Sequence, residues 1–151
     1  MNEIAIRRAR TADVGPITAT VCSAYLPYIE RIGRQPGPML EDYSAVLNGF
    51  QVHVATQGDT VVGVIVMTVT DDGFYVDNVA VRSSVKGQGV GRRLLELAEA
   101  EARNQGFASL YLATHVLMTE NQALYRRIGY IPFDQRVVNG FPRVFMRKSL
   151  A

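Results

Sequence analysis

The chain has 151 residues, of which 48% are hydrophobic and 20% charged. Those are the proportions of one domain with one sizeable core, not of a disordered or fibrous chain. Lys and Arg number 16 and Asp and Glu 14, a net charge of +2, which is too small for a nucleic-acid footprint. The longest apolar run, Val61 to Val69, has the length of a strand and falls far short of a membrane span.

The predicted elements begin with a short strand at Ile4-Ala5-Ile6. Thr11 reads as an N-cap, with Asp13 in the first turn of a helix that runs through Ile17, Val21 and Tyr25 and stops near Pro27. Gly33 to Pro38 reads as a loop, and Pro38 suits the first turn of a second helix. That helix has Met39, Tyr43, Val46 and Leu47 as its apolar stripe and ends at Asn48-Gly49. Three strands follow: Val52 to Ala55, Val61 to Thr70 and Phe74 to Val81. The turns Gly58-Asp59 and Asp72-Gly73 make them an antiparallel meander. After a glycine-containing loop, Leu94, Leu95, Leu97, Ala98 and Ala102 recur at helical spacing until Gly106. Leu110 to Ala113 is a strand, and the helix before it is a crossover, so it runs parallel to Phe74–Val81. Thr119-x-x-Gln122 reads as a capping box opening a short helix that Gly129 ends. Tyr130 to Phe133 and Val144 to Met146 are the last strands. The order is that of an α/β domain on a mixed sheet.

Cys22 stands alone, which excludes an intrachain disulfide and a Cys-rich zinc site, and it reads as a buried thiol. His53 and His115 are far apart, so no metal is expected. The N-terminal residues carry no apolar stretch of signal-peptide length, and a cytoplasmic location is expected.

The most informative stretch runs from Val79 to Leu95, where a strand feeds a glycine loop and the loop feeds a helix. Glycines let backbone approach a ligand closely, and the unpaired N–H groups of a helix start attract phosphate. Lys86, Arg92 and Arg93 add positive charge, so the loop reads as a pyrophosphate cradle. It is not a P-loop, since G-x-x-x-x-G-K-[ST] is absent. Nor is it a dinucleotide fingerprint, because Arg92 stands where a third glycine or alanine is needed after Gly87 and Gly89.

Lys86-Gly87-Gln88-Gly89-Val90-Gly91 resembles motif A of the GNAT superfamily of N-acetyltransferases, R/Q-x-x-G-x-G/A, with Lys86 in place of Arg or Gln. Asn121 to Tyr130 resembles a second region of that family, with Tyr130 standing for its Phe. The element order matches as well, so the resemblance covers nearly the whole chain, residues 1–151. It implies a single GNAT domain: a mixed sheet of six to seven strands, helices on both faces and a splayed parallel strand pair. It implies acetyl-CoA as acyl donor and no metal. Backbone of Val79, Ala80 and Val81 would pair with the pantetheine arm. Amides of Lys86, Gly87, Gln88, Gly89, Val90, Gly91 and Arg92 would hold the pyrophosphate, and Asn121 would hydrogen-bond the pantetheine.

The resemblance makes Tyr125 the catalytic candidate, as a phenol that would protonate the leaving CoA thiolate; by spacing alone it suits the core of an amphipathic helix with Leu124 and Ile128. Asp77, on the same strand face as Tyr75, is the candidate base, with His115 as a weaker rival. Tyr28, Arg31 and Arg34 are candidate acceptor-binding residues, among Tyr25 and Glu30, and Arg136 and Arg143 are further options. The expected reaction is acetyl transfer to the amine of a small molecule, amino-acid-like in one version, by direct attack. Two alternatives stay open: a protein lysine or N-terminal amine as acceptor, and a module that binds CoA without catalysis. No nucleic acid and no membrane partner is expected, and a homodimer is expected by family habit alone.

Overall fold

A computed structural model describes residues 3–151. In chain order its elements are β1 (Ile4–Arg8), α1 (Val14–Tyr25), α2 (Tyr28–Ile32), α3 (Tyr43–Gly49), β2 (Gln51–Gln57), β3 (Thr60–Thr70) and β4 (Gly73–Val81). There follow α4 (Val90–Asn104), β5 (Ser109–His115), α5 (Thr119–Arg127), β6 (Ile131–Val138) and β7 (Phe141–Ser149). The seven strands form one mixed sheet in the order β1-β2-β3-β4-β5-β7-β6. Every neighbouring pair is antiparallel except β4 and β5, which are parallel as the crossover requires.

The β-branched run suits β3 to an interior position between β2 and β4, and its only glycine has a packing reason. A Cβ on Gly63 would stand 3.1 Å from both Leu94 and Val90, so the missing side chain lets α4 lie close on the sheet. Leu94, Leu95, Ala98 and Ala102 of α4 then join Ile65, Met67, Phe74 and Val76 in one buried cluster, with Tyr125 and Tyr130. On the other face Ile17 and Val21 of α1 and Tyr43 and Val46 of α3 pack on Val54, Val64 and Val66.

One irregularity in β4 shapes the rest. Met67 pairs with Val76 and Val66 pairs with Asn78, so Asp77 is an extra residue, a β-bulge. Before it, Phe74 and Val76 point into the α4 cluster; after it, Ala80 points into the α1 cluster, while Val79 and Val81 pack against the first. β4 pairs with β5 only through Phe74–Val76 against Leu110–Leu112, and beyond those residues the two strands part.

Asn78, buried just after the bulge, ties three elements to β4. The Tyr25 hydroxyl donates to its Oδ1 at 2.8 Å, its Nδ2 donates to the Tyr43 hydroxyl at 3.2 Å, and that hydroxyl donates to the Pro38 carbonyl at 2.6 Å. Asn78 Oδ1, Asn78 Nδ2 and the Tyr25 and Tyr43 hydroxyls each have a partner, which buried polar groups require.

Local chemistry differs from the sequence expectation at four places. Residues 11–13 form a 3-10 turn, and Thr11 caps nothing. Asp13 instead reaches back to accept from the Arg10 N–H at 2.7 Å and from both Arg7 guanidinium nitrogens. Pro38 lies in a separate 3-10 turn, Gly37–Leu40, because Asp42 caps α3 by accepting from the Ser44 N–H at 3.0 Å. The Thr119–Gln122 capping box does not form: Met118 occupies the cap, and Gln122 Nε2 donates to the Val116 carbonyl at 2.9 Å. The expected loop after Pro27 contains the five-residue helix α2.

Arg7 holds the Asp13 carboxyl down at about 2, aided by the Arg10 N–H and opposed by burial. A carboxyl lowered by folding stabilises the protein above its unfolded pKa, and that stability is lost as pH falls through the folded value. Asp13→Asn is expected to cost roughly 1–2 kcal/mol at neutral pH, allowing for the partly open Arg7 side of the pair. In urea unfolding the difference from wild type is full above about pH 4 and shrinks towards pH 2. A difference that stays constant down to that pH would remove the ion pair as its cause.

Candidate active site

Where β4 and β5 part, the β5-facing backbone edge of residues 77–81 has no strand partner. The opening between them is a pocket. Asp77, Asn78 and Val79 of β4, Ala113, Thr114 and His115 of β5, and Asn121 and Tyr125 of α5 line it. Tyr25, the Pro36–Pro38 turn, Phe141 and Arg143 close its other side. An unpaired strand edge inside a cleft offers main-chain donors and acceptors to an extended ligand.

The edge leads directly into the glycine loop. Gly87 and Gly89 have φ of +84° and +80°, in the left-handed region that favours glycine. Nothing stands within 4 Å of a Cβ built on either, so the loop is open to an approaching group. Gly89 is the N-cap of α4, and no side chain caps that helix. Its first-turn amides are thus available to an anion. Lys86, Gln88 and Arg92 are exposed, and neither Lys86 nor Arg92 has an ion pair among the described residues. Val90 is buried beneath the loop, and Gly91 lies over Val81. Arg93 is committed elsewhere: it donates to the Ile4 carbonyl at 2.8 Å.

Tyr125 sits 7% exposed with its ring edge-on to Tyr130 at 5.8 Å. Its hydroxyl has no hydrogen-bond partner among the described residues, although it lines the pocket. Burial, and then Tyr28, push its pKa well above the ordinary phenol value, so it stays protonated. Tyr130, by contrast, buries its hydroxyl without a partner and away from the pocket lining.

Asp77 projects from the bulge, half-buried. Burial raises its pKa, Glu41 adds to the rise, and Arg143 opposes it. Tyr75 lies beside it and is pushed up to about 12, first by burial and then by the Asp77 charge. His115 is held neutral by burial and by Arg143 and Arg34, and its Nδ1 accepts from the Leu117 N–H at 3.1 Å.

Tyr28, Arg31 and Arg34 do not line the pocket. Arg31 Nη1 bonds both Glu120 oxygens at 2.7 and 2.9 Å, and the Tyr28 hydroxyl donates to the same carboxylate at 3.3 Å. The three side chains clasp α2 to the start of α5. Arg34 stacks 3.6 Å from the centroid of the Phe141 ring. Arg136 is taken by Asp134 and Asp72. Arg143 is the arginine that enters the pocket. Strand alternation in Phe141–Phe145 is the signal for it, since it places Phe141, Arg143 and Phe145 on one face. Cys22 does not line the pocket. Among the described residues no three His, Cys, Asp or Glu are grouped for a metal, and no helix is long and apolar enough to cross a membrane.

Comparison with known proteins agrees with this geometry. The model of the Acetyltransferase (GNAT) family matches residues 20–130. An IAA acetyltransferase from Azospirillum brasilense is 39% identical over 79 residues, 51% of this chain and 52% of that protein. The chain thus spans about half the length of that relative, and the matches to two further curated acetyltransferases cover 18% and 16% of theirs. The structure of an IAA acetyltransferase from Bacillus cereus superposes with a TM-score of 0.74 at 21% identity, covering 98% of this chain and 100% of that one. A GNAT family acetyltransferase from Elizabethkingia anophelis with acetyl-CoA bound gives 0.75 at 19% identity, covering 99% and 100%. At these identities the structural likeness is one of fold.

The opposed influences on Asp77 can be read directly. A carbon-detected NMR titration of the free protein is expected to place its carboxyl midpoint above the ordinary aspartate value. Arg143→Gln moves the midpoint further up, because it removes the cation that counters burial. A downward move would show that Arg143 does not face Asp77.

Proposed function

This chain belongs to the acetyltransferase (GNAT) family, and from that premise we propose that it moves the acetyl group of acetyl-CoA to the amine of a small molecule. One observation carries the reading. The unpaired edge of β4, the open glycine loop and the unpartnered Tyr125 hydroxyl are contiguous along one cleft. That is the layout needed to hold a thioester along an extended arm with its pyrophosphate at a helix start.

Main-chain groups of Val79, Ala80 and Val81 pair with the pantetheine arm, and Asn121 hydrogen-bonds it from α5. Amides from Gly87 to Arg92 hold the pyrophosphate, with Lys86 and Arg92 adding charge. Asp77 takes a proton from the acceptor ammonium, and its raised pKa makes it a stronger base than an ordinary aspartate. The freed nitrogen lone pair forms the C–N bond at the thioester carbonyl, the nitrogen, now positively charged, releases a second proton to cleft water, and the C–S bond breaks. Tyr125 gives its proton to the departing sulfur. Its raised pKa keeps it protonated until that charge develops, so transfer accompanies C–S cleavage. Cleft water returns the Asp77 proton to Tyr125. No covalent enzyme intermediate is needed, since Cys22 lies outside the pocket. The Pro36–Pro38 turn encloses the acceptor end, which suits a small molecule better than a peptide strand.

Two measurements test this. Calorimetry with acetyl-CoA is expected to show saturable binding to wild type and none to Gly89→Trp, whose side chain would fill the loop at a φ of +80°. Absence of wild-type binding at millimolar ligand would return the loop to a plain turn. Tyr125→Phe is expected to lower kcat about 100-fold or more with acetyl-CoA affinity within about twofold. An unchanged kcat would remove Tyr125 from the reaction.

A further inference from the structure

Two arginines at the acceptor end of the cleft are held in place yet carry no counter-charge. Arg34 and Arg143 both lie over Phe141, at 3.6 and 5.9 Å from the ring centroid. Phe141 is 5% exposed and lines the pocket with Arg143. Each guanidinium also fits against a glycine. A Cβ on Gly37 would stand 2.8 Å from Arg143 Nη2, and a Cβ on Gly140 would stand 2.9 Å from Arg34 Nη2. A larger residue at either place would have to displace the guanidinium tip, so each glycine leaves room for its arginine in this position.

Neither arginine is in an ion pair among the described residues, although the Arg143 charge acts on Asp77 in the same pocket and on the Tyr75 hydroxyl. Among the described residues neither has a carboxylate within 4.0 Å. The neighbouring arginines differ: Arg31 is paired with Glu120 and Arg136 with Asp134 and Asp72, while Arg147 donates to Ser109 and to the Asp72 carbonyl. Both unpaired arginines act on His115, which they help keep neutral, so the positive field reaches the pocket wall. Guanidinium groups held beside an aromatic ring and outside any ion pair are suited to bind a carboxylate through paired hydrogen bonds. Asp77 lines the same pocket from the opposite strand.

We infer that Arg143, backed by Arg34 on the Phe141 ring, anchors a carboxylate of the acceptor, so that the acceptor is a free amino acid or a similar small amino-carboxylate. The inference rests on the acetyl-transfer reading for its amine half: Asp77 handles the ammonium while Arg143 holds the opposite charge. The two groups would then orient one small zwitterion with its nitrogen towards the thioester. Arg143 would be specificity-determining, and Arg34 would be a positioning residue that acts through the shared ring.

The test uses the full chain saturated with CoA, into which each of the common amino acids and its α-amide are titrated by calorimetry. Thiol release from acetyl-CoA is followed in parallel on the same panel. At least one amino acid is expected to bind tenfold or more tighter than its amide. Arg143→Gln is expected to bring the pair within about threefold, while Arg143→Lys retains part of the preference and acetyl-CoA binding stays at the wild-type value. Arg34→Gln is expected to weaken the acid severalfold without touching the amide. Thermal melting of each variant reports whether it has kept its fold, and the acid-to-amide comparison in wild type does not depend on any variant. Equal binding of acids and amides, or a preference that survives Arg143→Gln, overturns the carboxylate anchor. Acid-selective binding with no thiol release from any acceptor leaves the anchor standing and sinks the transferase reading. Thiol release from acids and amides alike does the reverse.

Discussion

The fold and the cleft both depend on a single extra residue in a strand. With Asp77 bulged out of the β3–β4 ladder, β4 turns its side chains over part-way along its length. Phe74 and Val76 feed the α4 core, and Ala80 feeds the α1 core. The bulge sits one residue beyond the last pairing with β5, and from that point the parallel strands separate. A bulge bends a strand and increases its twist, so opening on one edge follows from disruption on the other. The unpaired backbone of 77–81, which would be costly in a closed core, faces a cleft instead.

The packing around that opening is arranged to keep it open. Asn78 holds Tyr25 of α1, Tyr43 of α3 and the Pro38 turn through a chain of hydrogen bonds in which each polar group is satisfied. The Arg31–Glu120–Tyr28 clasp holds the start of α5 from the other side. These contacts differ in kind. The Asn78 chain is buried, so breaking it leaves unpaired groups in a low dielectric. The clasp is exposed and contributes little stability, but it limits where α5, and with it Asn121 and Tyr125, can lie.

Electrostatics then separates two roles within one pocket. Burial raises the pKa of both Asp77 and Tyr125. The same physical cause has opposite chemical consequences. It makes the carboxylate a better base, and it keeps the phenol in its donor form. Arg143 moderates the first effect and stays free to meet an anion. On the proposed reading, with Asp77 as base, Tyr125 as acid and Arg143 as cation, the cleft is better matched to a polar zwitterion than to an apolar amine.

Much of this was legible in the sequence. The meander, the crossover and the glycine loop announced themselves through local signals: β-branched runs, Asp-Gly turns, helical spacing and a strand-loop-helix junction; Tyr125 came forward through the family resemblance of Asn121 to Tyr130. Local signals also misled. Thr11 and the Thr119–Gln122 pair are good capping residues, but Asp13 and the Val116 carbonyl took their partners, because capping is decided by which groups the fold leaves unsatisfied. β6 was underestimated because it lies exposed at the sheet edge, where no alternation is needed. The bulge shows in the sequence only as a phase slip, from Phe74 and Val76 to Val79 and Val81 across Asp77-Asn78, which a reading of Phe74–Val81 as one strand passes over. Strand alternation offered Arg143 as one option, but the sequence did not single it out as the arginine that enters the cleft. Arg31, Arg34, Arg136 and Arg143 have the same chemistry, and only three-dimensional neighbours distinguish them. Glu120 consumes one, Asp134 and Asp72 another, Arg34 is drawn onto the Phe141 ring outside the pocket lining, and Arg143 alone of the four lines the pocket. The sequence determined which chemistry was present, through residue types and short-range periodicity. Tertiary structure decided which of those groups were neutralised and which were left free, because charge pairing and burial are set by residues far apart in the chain.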